Sequence, residues 1–134
     1  TQTLIQRNPD LNILFATFDQ LATYQIPAVE RSRSDVKIVG TNGLPENLKA
    51  VKQGSPQVAD IAYVPPEFFG WLGVDQLGRA MAGEPVGDEN GDPLQTPVQT
   101  FDQENLPDDT TDFDAVYPGL VGYQDKFKEK WGMQ

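Results

Sequence analysis

Neither cysteine nor histidine occurs in this chain. Thiol nucleophiles and disulfides are therefore excluded, and so are Cys/His zinc sites and any Ser-His-Asp or Cys-His machinery. Acid–base chemistry is left to carboxylates, lysine and tyrosine. Long hydrophobic runs are also missing, none approaching the roughly 20 residues needed to span a bilayer. No signal peptide is visible, and the first residue is Thr1 rather than Met, so an upstream segment is expected. There is no internal repeat and no low-complexity tract. Neither a Walker loop nor a GxGxxG occurs. Basic residues are few: 10 Lys and Arg stand against 20 Asp and Glu, for a formal charge of −10 and a pI near 4.2. That balance argues against nucleic acid or an anionic membrane as partner, since both reward clustered cations.

What is present suffices for a core. The chain has 134 residues, 38% of them hydrophobic, which fits one domain's worth of sequence. Its acidity is concentrated. Ten acids and no Lys or Arg lie between Glu84 and Asp114, leaving ten acids and ten bases elsewhere. The same stretch holds Pro85, Pro93, Pro97, Pro107, Gly87 and Gly91 and reads as solvated loops around one short strand. The alternative is a calcium loop at 88–92 (DENGD). The EF-hand pattern wants glycine at the sixth position, which is Pro93 here.

Leu4, Ile5 and Arg7 read as the tail of a helix. The run 11–18 (LNILFATF) suits a buried parallel strand. From Asp19, a natural helix cap, to about Arg31 the pattern is helical, with Pro27 expected to kink or shorten it. Strands follow at 35–39 (DVKIV), 58–64 (VADIAYV) and 96–101 (TPVQTF). Between the first two of these, Pro45 opens a helix that runs to about Gly54. A longer helix covers about Glu67 to Met81 and ends at Gly83 as C-cap, and a last helix is expected between Tyr117 and Trp131. The alternation predicts an α/β domain, a mostly parallel sheet with flanking helices. Ligands of such sheets gather at the carboxyl ends of the strands, here 17–19, 41–43 and 63–65.

Four segments in order resemble type I periplasmic solute-binding proteins, the ribose-binding-like group. Residues 8–19 (NPDLNILFATFD) are similar to that family's "hPDhxhhFAxND". Residues 35–54 (DVKIVGTNGLPENLKAVKQG) are similar to "dhxVVGFDGtPexlxAIxxG". Residues 58–70 (VADIAYVPPEFFG) resemble "haTIAQxPxxxG", and 77–86 (LGRAMAGEPV) resemble "hxxhhxGexV". The resemblance implies two α/β lobes with a ligand between them, of which this chain is the carboxyl-terminal part. Residues 1–101 would be that part of the fold, and 102–134 an acidic variable tail with a terminal helix.

The resemblance also implies a site. Phe18 stands where the family often has Asn, Asp19 at its Asp, Asn42 at the Asp of "GFDG" and Tyr63 at the crossing-strand Gln or Asn. Two aromatics and a neutral amide weaken the case for a simple pentose or hexose, and the solute implied is sugar-like but less polar, or amphipathic. Each position has a plainer reading. Phe18 reads equally as core, Asp19 as a helix cap, and Asn42 as a turn residue before Gly43. Tyr63, a polar tip on an apolar strand, is the strongest of the four as a ligand contact.

The function implied is the substrate-binding component of an ABC importer, handing a small-molecule solute to a permease from an extracytoplasmic, lipoprotein-type location. The alternative is a ligand-sensing effector domain of a regulator or receptor with the same fold. No cofactor and no metal is called for. A homodimer of the chain would be one way to cover a half-built sheet. Enzymes fit poorly. A receiver needs a Lys at a late strand end, and a flavodoxin needs a glycine after its first strand. Glycosidase chemistry needs two facing acids, and Asp19 has no partner among the predicted strand ends.

Overall fold

Three short parallel strands and one antiparallel strand make a single sheet in the order β1-β2-β3-β4. A computed structural model describes residues 1–62, 65–88 and 98–133. Helix α1 (Gln2–Arg7) leads into β1 (Ile13–Phe15), α2 (Asp19–Ser32), β2 (Lys37–Thr41), α3 (Pro45–Lys52) and β3 (Gln57–Ala62). Then come α4 (Pro66–Ala82), β4 (Gln99–Asp102), α5 (Phe113–Val116), a 3-10 turn (Pro118–Leu120) and α6 (Tyr123–Lys130). The α/β class and the mostly parallel sheet are as the sequence pattern predicts.

The details differ where tertiary packing decides. Strand β1 is only three residues long, and its neighbours Leu11 and Ala16 pack with the core beside it. It alternates rather than being buried on both faces. Leu14 points into the core, while Ile13 and Phe15 are 56% and 55% exposed. Helices α2 and α3 cover one face of the sheet, and among the described residues nothing covers Ile13 and Phe15 on the other. Pro27 does not shorten α2, which runs to Ser32 and ends at Arg33 in a left-handed conformation (φ 49°). Gly83 closes α4 as expected, at φ 76°, with its amide on the Ala80 carbonyl. The last helix starts later than expected, at Tyr123, because Pro118–Leu120 form a 3-10 turn and Gly122 takes φ 69°; the short α5 lies before Tyr117.

The apolar core has two parts. Leu14, Ala16, Ala22, Val29, Val36 and Ile38 join β1 and β2 to α2. Leu48, Val51, Ala62 and Phe101 join α3, β3 and β4 to Leu106, Val116 and Tyr117 of the acidic carboxyl-terminal segment. That segment is therefore anchored by apolar burial as well as solvated by its charges. A third cluster pairs α4 with α6. Trp71 stacks on Trp131 with ring centres 5.5 Å apart, and Phe68 meets Tyr123 at 5.2 Å. The acids 89–92 of the candidate calcium loop lie outside the described residues.

Candidate functional site

The carboxyl ends of β1 and β2 meet where the sequence places them. Thr41 Oγ1 donates to the Ala16 carbonyl (3.2 Å), and Ala16 N donates to the Val39 carbonyl (2.8 Å). Asn42 follows at φ 110°, rare for a residue with a Cβ, and Gly43 at φ 71°. The side chain of Asn42 turns toward α2, its Oδ1 accepting from the Asp19 amide at 3.4 Å. Beside it Phe18 is 59% exposed, so its ring is not core. Its carbonyl, not its side chain, starts α2 by accepting from the Leu21 amide.

Asp19 is neither a helix cap nor an exposed contact. It is the first residue of α2, makes no capping bond, and is wholly buried. Its Oδ2 accepts from the Leu44 amide at 2.8 Å. It does have an acidic partner, which comes from inside a strand and not from a strand end. Asp60, also wholly buried, sits in the middle of β3. Asp60 Oδ1 accepts from the Gly43 amide (3.0 Å) and Oδ2 from Gln57 Nε2 (2.9 Å). Gln57 Oε1 in turn accepts from Asn47 Nδ2 (2.9 Å), which also reaches the Asp19 carbonyl (3.2 Å). A Cβ on Gly40 would collide with Gln57 Nε2 and lie 2.6 and 2.7 Å from Asp19 Oδ1 and Asp60 Oδ2. Glycine at position 40 is what makes room for the network.

Burial dominates the electrostatics of the pair. It pushes Asp60 up to about 8, with the hydrogen bond to Asp19 and the Asp19 charge adding to the rise. Bonds from Gly43 and Gln57 oppose it. Asp19 is raised by burial too, and the hydrogen bond from Asp60 lowers it in part. Neither carboxyl reaches solvent, so the pair offers no general acid or base to a substrate. Its work is to hold the 42–44 loop.

Asp60, Gln57 and Asn47 are not among the residues singled out from sequence. The signal was present for one of them. Asp60 is a charged residue inside an apolar strand, at the position where the family pattern has Thr. Gln57 and Asn47 carry no such mark. Tyr63 lies outside the described residues.

The carboxyl-terminal segment closes the other side of the loop. Tyr117 is buried and donates its hydroxyl to the Gly43 carbonyl at 3.3 Å. Burial, with the charges of Asp60 and Asp19, pushes that hydroxyl well above the ordinary tyrosine range. A cleft of about 420 Å³ opens here, lined among others by Leu44, Pro45, Glu67, Thr111 and Tyr123. Among the described residues, no group of three or more acids could hold a metal ion.

A third buried acid fixes α6 to α4. Asp75 accepts from Trp131 Nε1 (3.0 Å), Lys130 Nζ (3.1 Å), Arg79 Nε (3.1 Å) and Gln76 Nε2 (3.0 Å). Burial raises its pKa, but the bonds from Trp131, Lys130 and Arg79 outweigh it, and the net value lies below the usual range.

This fold and this arrangement of strand ends have clear relatives. No family model matches the chain. The ribose import binding protein RbsB of Salmonella typhimurium (strain LT2) is 35% identical over 86 residues, covering 63% of this chain. Among solved structures, an ABC transporter solute binding protein from Mycobacterium smegmatis with bound glycerol superposes with a TM-score of 0.66. It is 28% identical and covers 78% of this chain. One from Agrobacterium vitis with bound allitol gives 0.67 over 78% of the chain at 17% identity, a likeness of fold alone. Over part of its length the chain is homologous to the ribose import binding protein, and its fold is that of sugar ABC transporter solute-binding proteins of type I. The match spans 28% of the ribose import binding protein and 35% and 36% of the two solved chains. The similarity supports a substrate-binding role and is consistent with a protein that is not an enzyme.

Proposed function

We propose that this chain is the carboxyl-terminal part of the substrate-binding component of an ABC importer. It holds a small sugar-like or amphipathic solute between two lobes and presents it to a permease outside the cytoplasm. Residues 1–101 form the lobe remnant, and residues 102–134 brace its ligand loop. The observation that carries the reading is the exposed ring of Phe18 beside Asn42 at adjoining strand ends, in a stretch homologous to a ribose import binding protein. An aromatic face stacks on the apolar side of a sugar ring, and a primary amide both donates to and accepts from hydroxyls. Asn42 Nδ2 has no partner among the described residues and is available for that. Tyr63 completes the contact set in this reading, while Asp19 supports it from below.

Lobe closure would convert binding into a signal, by shifting the population toward a form that the permease recognises. Calorimetric titration of the full-length protein with ribose, allitol and glycerol tests the binding. X-ray scattering of the same samples tests the closure. Saturable binding of one of them with a smaller radius of gyration is expected. No heat and no change in radius with any of the three would remove the reading.

A further inference from the structure

Asp19 and Asp60 are acids with no exposure and with no cation bonded to either among the described residues. Asp19 Oδ1 also lacks a donor among the described residues. Yet it faces the same small space above Gly40 as Asp60 Oδ2. Two ionised carboxylates with no exposure and no counter-charge beside them repel each other strongly. One hydrogen resolves both problems. Carried on Asp60 Oδ2, it is donated to Asp19 Oδ1, while Asp60 Oδ2 still accepts from Gln57 and Oδ1 from Gly43.

We propose that Asp19 and Asp60 share a single proton, and that this proton positions the Asn42–Leu44 loop, making Asp60 a positioning residue for the solute site. The proposal deepens the importer reading and rests on it only where solute affinity is concerned. Removing the proton sets two negative charges against each other. Each holds an amide of the same loop, so the loop moves when they separate. The surrounding groups do not relieve this. Glu46 on α3 raises Asp19 further. Tyr117 faces the loop as a neutral hydroxyl, and Glu67 on α4 acts on Tyr117 with the same sign as the pair. Loss of the proton falls near pH 8, the value to which burial lifts Asp60.

The test is a carbon-detected NMR titration of aspartate carboxyl carbons in the full-length protein. One carboxyl of the pair is expected to titrate near pH 8, and the amides of Gly43 and Leu44 to shift with the same midpoint. Asp19→Asn supplies the hydrogen covalently, since its amide donates to Asp60 while its oxygen still accepts from Leu44. In that variant neither the high titration nor the amide shifts should remain. Solute affinity should weaken several-fold between pH 7 and 9 in the unsubstituted protein and stay level in Asp19→Asn. If both carboxyls ionise below pH 5 and the two amides stay fixed from pH 7 to 9, the shared proton is overturned, whatever the protein binds. If the titration is seen but no sugar binds, the importer reading fails and the shared proton stands.

Discussion

Asp60 and Asp19 bond consecutive amides of one loop: Asp60 takes Gly43 N at 3.0 Å and Asp19 takes Leu44 N at 2.8 Å. The two acids come from different elements, one inside β3 and one opening α2. Tyr117 grips the same loop from the carboxyl-terminal segment through the Gly43 carbonyl. Asn42 is thus presented by a turn held at two amides and one carbonyl. A residue with a Cβ at φ 110° persists because its surroundings hold the loop in place.

Gly40→Ala should be among the most damaging small substitutions. The new methyl enters the space between Gln57, Asp19 and Asp60. A cost of about 1–3 kcal/mol is expected for overpacking of this kind. It would be read as a lower urea midpoint at unchanged slope.

The pH dependence has a definite sign. Asp60 is about 8 when folded and 3.8 when unfolded. The folded state therefore holds a proton that the unfolded state has lost between these values. The contribution of this pair to stability is fully present below pH 3.8, declines as pH rises, and is gone above about 8. Melting temperatures from pH 5 to 9 should show this decline in the unsubstituted protein and a flatter profile in Asp19→Asn.

Asp75 behaves in the opposite way. Its folded pKa is lowered, so its stabilisation is present above the unfolded value of 3.8 and lost as pH falls through the folded one. Asp75→Ala leaves Trp131 Nε1 and the two cations without their acceptor. A loss of about 1–3 kcal/mol is expected. A red shift of tryptophan emission should accompany it as Trp131 leaves Trp71.

Tyr117 separates hydrogen bonding from packing. Tyr117→Phe removes one 3.3 Å bond and should cost about 1 kcal/mol. Tyr117→Ala also removes the ring packed at 5.5 Å on Phe101 and 5.4 Å on Phe113, and should cost about 3–5 kcal/mol. Chemical denaturation of both variants checks the ratio.

Solute contact predicts its own pattern. Asn42→Ala should weaken ribose or allitol binding about tenfold, the effect of about 1.4 kcal/mol. Phe18→Ala should weaken it without lowering the melting temperature, because the ring is largely exposed. Titration calorimetry beside a thermal melt distinguishes the two effects.

The element pattern was legible because it depends on near neighbours. Apolar spacing located the strands, Pro45 and Gly83 marked helix ends, and four short motifs gave the family resemblance. Asp19 was misread as a cap for the same reason. An acid before an apolar helical pattern is a cap by local rules, and only the arrival of Leu44 and Asp60 shows that it points inward. Asp60 carried a visible oddity, a charge in a strand, but no local rule says where its partner lies.

Local chemistry thus determined which stretches become helices and strands and that the sheet is mostly parallel. Tertiary structure alone decided that Asp19 and Asp60 meet, that Gly40 must stay small, and that the acidic carboxyl-terminal segment braces the 42–44 loop through Tyr117. Those outcomes depend on burial and on bonds between residues distant along the chain. Desolvation turns two ordinary carboxylates into a coupled pair, and it acts only once the sheet and its helices have closed over them.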